Sequence, residues 1–280
     1  MGEMPLLIFS FSLQAAIGTF IFMTLGKLLT KGKEFKRAAL TAAVLSVIGV
    51  LASLFHLGQP LRALNSLSNL ATSWLSREIL FSATFAGIAV LYILVLYLKH
   101  DNQTLQRAFQ WAGSVIGLVT VFTMAMIYAN SGIVAWHGSN TFVDFYATTI
   151  SVGALIFLVI SLPEIEEANK KIFGLIILTT ISIQVAVGIP YAFSLGLNGM
   201  AAQTSATIFS HLSFVIGLKW LLVLGGAGLV MWPASKKVGT DLSQSTTGLI
   251  YIACFTLVVG QLIGRYLFYA ALIATGIGLV

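Results

Sequence analysis

A histidine, a glutamate and a few arginines are the residues of this sequence whose chemistry stands out against their surroundings. His56 begins the run HLGQPLRALNSL at 56–67, and SREI at 76–79 brings Glu78 twenty-two residues later. An imidazole titrates near neutrality, so it can take a proton from a bound hydroxyl at one nitrogen while donating from the other. Glu78 can accept a second proton or pass one to water, and Arg62 can hold a carboxylate or an oxyanion. The stretch GRYLFY at 264–269 sets the guanidinium of Arg265 beside Gly264 and one turn from Tyr269. Arg265 stays charged and needs an anionic or dipolar partner, for which Glu78 is the best candidate. Together these groups suit a molecule that loses two protons and two electrons, a quinol.

Plainer readings stand beside that one. With Ser76 as N-cap, Glu78 would occupy the first helical turn, where a carboxylate gains ~0.3–1 kcal/mol from the helix dipole. His56 can simply cap a helix end, Gly58 and Pro60 can shape the turn after it, and Arg62 and Arg77 can meet lipid headgroups. Lys219 can snorkel, its stem in lipid and its amine at the interface. A bis-histidine haem would need two imidazoles at one depth, and of His56, His100, His137 and His211 only His56 and His211 share a level. No haem is expected. The single cysteine, Cys254, excludes an internal disulfide and every multi-cysteine zinc or iron-sulfur pattern. Any iron-sulfur cluster would have to sit in another subunit.

The elements that position these residues follow from composition. Of 280 residues, 58% are hydrophobic and 9% charged, with a mean hydropathy of +0.97, whereas soluble domains carry about 25% charged residues. A soluble enzyme and a disordered chain are both excluded. The net charge of +6 comes from residues between apolar stretches and forms no nucleic-acid-binding surface. A bilayer core about 30 Å thick needs about 20 apolar residues per helix. Eight segments meet this, near 5–26, 38–57, 79–98, 108–130, 145–162, 172–193, 212–233 and 247–270. They predict an all-α polytopic membrane helix bundle, residues 1–280 forming one anchor domain. Pro5, Pro163 and Pro233 punctuate segment ends, Pro190 marks a kink or exit, and Trp74, Trp136 and Trp232 fall where aromatic belts sit. The residues before the first segment hold Glu3 and no Lys or Arg, unlike a cleavable signal peptide.

Lys and Arg orient the bundle, because cytoplasmic connections keep positive charge. Eleven lie in the odd connections and only Arg62 and Arg77 in the even ones. Both termini are thus expected on the non-cytoplasmic side, and His56, Glu78, Lys219 and Arg265 then converge toward that outer face. Ionisable groups at membrane depth are costly and point to function.

On HLGQPLRALNSL with LSREI, on GQLIGRYLFY at 260–269 and on the N-terminal MPLLIF, the sequence resembles the membrane-anchor subunit of bacterial dimethyl sulfoxide reductase, the DmsC family. The resemblance implies a multi-pass anchor in the bacterial inner membrane, of an oxidoreductase complex whose catalysis lies elsewhere. It would hold a ferredoxin-like iron-sulfur subunit and a molybdopterin catalytic subunit. It further implies that the anchor oxidises menaquinol as a bound substrate, without haem, at His56 and Glu78. Where the family can have an acid this sequence has Gln261, to which no proton role is given. Two other functions fit the composition. A secondary transporter would place its site near the midplane between broken helices, and a purely structural anchor would touch no quinol.

Overall fold

The computed structural model describes residues 4–30, 32–55, 65, 67–235 and 243–270. Long apolar runs have no water to satisfy their backbone, so each closes its hydrogen bonds within itself as a helix. The helices are α1 (Met4–Leu29), α2 (Lys36–Leu54), α3 (Trp74–Leu98), α4 (Gln103–Ala129), α5 (Ser139–Ile160), α6 (Glu167–Leu197), α7 (Met200–His211), α8 (Ser213–Ser235) and α9 (Ser243–Ala270). Among the described residues there is no strand, and all but α7 are long and apolar enough to cross a membrane. The eight expected spans are therefore present.

Three details differ from the sequence reading. α7 was not expected, since it is short and carries Gln203, Thr204, Ser205 and Thr207 within twelve residues. α6 runs through Pro190 to Leu197, which rules out the exit reading of that proline and carries the helix past its expected end near 193. Trp136, assigned to a lipid-facing belt, is 5% exposed and stacks on Phe268 with ring centroids 5.1 Å apart.

The protein divides into two compact units, Met1–Ile127 with Thr148–Asn169, and Tyr128–Ala147 with Lys170–Val280. In the first, α1 is the enclosed helix, with Leu13, Ala16, Ile17, Phe20 and Met23 fully buried. It meets α5 at a glycine pair: a Cβ on Gly18 would collide with the Thr149 carbonyl, and one on Gly153 with the Gly18 backbone. Small residues of this kind let membrane helices pack backbone to backbone. Phe35, fully buried ahead of α2, adopts a left-handed φ of 50° that is rare for a bulky residue, and its ring packs edge-on against Phe157.

In the second unit α8 and α9 cross closely. A Cβ at Gly226 would lie 2.8 Å from that of Leu257, and one at Gly260 would lie 2.7 Å from Val223. Within the Gly-rich stretch at 225–228, Gly226 thus serves helix packing.

Candidate functional site

In the first unit, α2 ends at Leu54 and α3 begins at Trp74, so Glu78 lies four residues into α3. His56 and Arg62 lie outside the described residues. The start of α3 is built by its neighbours. Ser73 is the N-cap, its hydroxyl accepting the Ser76 N–H at 3.3 Å. Arg77 folds back to donate to the carbonyls of Leu70 at 2.8 Å and Ala71 at 2.6 Å, with its guanidinium 4.1 Å from the centre of the Trp74 ring. Arg77 therefore shapes the turn that delivers Glu78.

The cap lies three residues earlier than the Ser76 expected from sequence, which moves Glu78 beyond the first turn and away from the strongest part of the helix dipole. Glu78 instead faces inward at 6% exposure, and Ser82, one turn on, is 4% exposed with no hydrogen-bond partner for its hydroxyl among the described residues. Below them the same face carries buried Phe85, Ala89, Tyr92 and Leu96. Among the described residues Glu78 makes no salt bridge. A buried carboxylate without an ion pair is costly to keep for structure alone.

In the second unit Arg265 is 3% exposed, its guanidinium 3.9 Å from the Phe145 ring centre and 5.5 Å from that of Phe268, within the field of the Asp144 carboxylate. Tyr269 is buried, and its hydroxyl pairs with that of Tyr128 at 2.9 Å. Trp136 donates to the Phe268 carbonyl at 2.8 Å and packs edge-on against Tyr128. A polar string runs alongside. The Gln184 amide donates to Asp144 at 2.9 Å and to Gln261 at 3.3 Å, and Gln261 donates back at 2.9 Å. Gln261 is thus an amide link to an acid on a neighbouring helix.

Sequence reasoning missed Asp144 because it began the fifth span at 145, just past the acid, whereas α5 starts at Ser139. The signal was available in NTFVDFYATT, a single carboxylate in an otherwise uncharged run. Lys219, for which snorkelling was the plainer reading, is 8% exposed and lies against Gly264 and the face of Trp220 at 4.5 Å. It lines a cavity of the second unit together with Asp144 and Asn140. Among the described residues no three His, Cys, Asp or Glu side chains converge as a metal site.

The sequence matches the family described as DMSO reductase anchor subunit (DmsC) over residues 1–271. It is similar to YnfH, an anaerobic dimethyl sulfoxide reductase protein of Escherichia coli (strain K12), 27% identical across 99% of this protein and 97% of that one. It is equally similar to the C subunit of anaerobic dimethyl sulfoxide reductase from the same organism, 27% identical across 98% and 96% of the two proteins. The C subunit from Haemophilus influenzae is 26% identical across 95% and 94%. Eight apolar helices and these relatives make the protein a multi-pass protein of the bacterial inner membrane. Matched over nearly its whole length, it belongs to the DMSO reductase anchor subunit family.

Proposed function

We propose that this protein anchors a DMSO reductase-type complex in the membrane and oxidises menaquinol for it. The observation that carries the reading is Glu78, a buried carboxylate without a salt bridge among the described residues, set near the start of α3 by a dedicated cap and a folded-back arginine. Its helix follows the motif that holds His56. His56 hydrogen-bonds one quinol hydroxyl and takes its proton, Glu78 takes the other, and Arg62 steadies the oxygen as charge develops. Oxidation releases two protons and two electrons and leaves the quinone. The excess of Lys and Arg in the odd connections supports release of the protons on the outer side.

With one cysteine, the sequence has no ligand set for an iron-sulfur cluster. The electrons therefore pass to a cluster in a ferredoxin-like partner subunit and on to a molybdopterin subunit, both assigned from the family. Arg265 and Tyr269, which the sequence reading grouped with these residues, belong to the second unit.

The test is turnover of the assembled complex. In His56→Ala and Glu78→Gln, menaquinol-driven reduction should fall at least 100-fold while reduction driven by a soluble viologen dye stays within two-fold of wild type. Arg62→Gln, Arg265→Gln and Tyr269→Phe enter the same assay. Wild-type quinol turnover in both His56→Ala and Glu78→Gln would leave the protein a structural anchor.

A further inference from the structure

The cavity of the second unit has the makings of a binding site that does not depend on His56 or Glu78. Its volume is about 160 Å³. For scale, an engineered apolar cavity of about 150 Å³ takes up benzene. Aromatic side chains form much of its wall, with Trp136 and Phe268 on one helix-end cluster and Tyr191, Phe209 and Trp220 on others. Ala192, also in the wall, is exposed.

Three polar side chains, those of Asp144, Lys219 and Tyr191, line this aromatic shell. Asp144 lies five residues after Ser139 at the start of α5, and Lys219 six after Ser213 at the start of α8. Tyr191 lies six before Leu197 at the end of α6. At ~1.5 Å per residue each is about 8–9 Å along its helix. The Tyr191 hydroxyl donates to the Ala135 carbonyl and the Trp136 indole donates to Phe268, so both are already engaged.

Lys219 and Asn140 are different. Each is 8% exposed, each lines the cavity, and neither side chain makes a hydrogen bond among the described residues. Among the described residues Lys219 makes no salt bridge, and its ammonium lies 4.5 Å from the centre of the Trp220 ring. Unmet donors on buried groups cost free energy, up to ~1–3 kcal/mol for a neutral group and more for a charged one. Two of them aimed into one cavity describe a site waiting for an acceptor.

The chemistry of the walls narrows what that acceptor is. A free anion would meet Lys219 but also the Asp144 carboxylate, and a cation would meet Lys219 as a like charge. An aliphatic molecule would leave both donors unmet. A neutral, flat, lipid-soluble ring carrying a carbonyl oxygen fits both: its faces lie against indole and phenyl rings, its oxygen takes the two donors, and Asp144 keeps the donation from Gln184. The geometry points to a second ring-binding site in this protein, a cavity for the carbonyl end of a quinone-type molecule held by Lys219 and Asn140.

The test is equilibrium dialysis of menadione, a tailless naphthoquinone, against the full-length protein in detergent micelles. His56→Ala/Glu78→Gln serves as the parent, so that binding at the proposed oxidation residues is removed in advance. The parent should bind one menadione per protein saturably. Lys219→Leu should weaken that binding at least ten-fold. Ala206→Phe, which fills the cavity without touching charge, should abolish it and decides the matter if Lys219→Leu does not fold. Non-saturable uptake by the parent, or affinity within two-fold of the parent in folded Lys219→Leu or in Ala206→Phe, would overturn the site. Failure of the oxidation reading shows separately, in the turnover of the assembled complex.

Discussion

Gly18 of α1 and Gly153 of α5 face each other so closely in the first unit that neither position has room for a Cβ. The obstacle in each case is backbone, the Thr149 carbonyl for one and the Gly18 main chain for the other, so no side-chain rotation relieves it. Overpacking a core usually costs ~1–3 kcal/mol because side chains and backbone give way together. Here only helix separation can give way. Gly153→Val should therefore cost more than that range and yield little folded protein from detergent. Gly87→Ala in α3, where no neighbouring atom lies within 4 Å, should melt at or above the wild-type temperature. Equal thermal stability of the two variants would refute the crossing.

The cap of α3 gives a second comparison. Ser73 accepts the N–H of Ser76 through its side chain, whereas Ser76 contributes only backbone. Ser73→Ala should lower stability by ~0.5–2 kcal/mol. Ser76→Ala retains the N–H and should stay within about 0.5 kcal/mol of wild type. Thermal unfolding followed by circular dichroism reads both, and the reverse order of effects would move the cap back to Ser76.

That comparison also shows where the sequence is readable. The eight spans, and with them the places of Glu78, Lys219 and Arg265 near helix ends, follow from apolar run length, a property each segment carries by itself. The cap does not, because Ser73 and Ser76 both precede the same apolar run and only backbone direction distinguishes them. α7 was hidden by the same criterion that found the spans, being twelve residues long and rich in hydroxyls. Asp144 was hidden because an apolar window begins after a charge, while the helix begins at Ser139. The burial of Lys219 depends on which neighbours cover it, and a stem of four methylenes reads the same in lipid as in protein.

Glu78 is expected to separate stability from function. A buried carboxylate without a salt bridge among the described residues is a burden on the fold, and an amide of the same shape removes the charge at little steric cost. Glu78→Gln should unfold at the wild-type temperature or a few degrees above it in detergent. Taken with the loss of quinol turnover, this would mark the acid as kept for chemistry. A fall of more than about 5 °C in Glu78→Gln would instead assign the carboxylate a structural partner.

The amide pair of the second unit makes a coupled prediction. Gln184 donates to Asp144 and exchanges hydrogen bonds with Gln261, so its amide is the junction between an acid on α5 and α9. Gln184→Met conserves length and apolar packing but removes two donations and one acceptor. The loss should be about 1–3 kcal/mol, the range for leaving buried partners unmet. Gln261→Met alone should cost less, because Gln184 keeps its bond to Asp144. In the double variant the second change should add little once its partner is gone, giving a coupling of about 0.5–3 kcal/mol. Strictly additive losses in that cycle would mean that the two amides do not act as one link, and that Asp144 is held by other contacts.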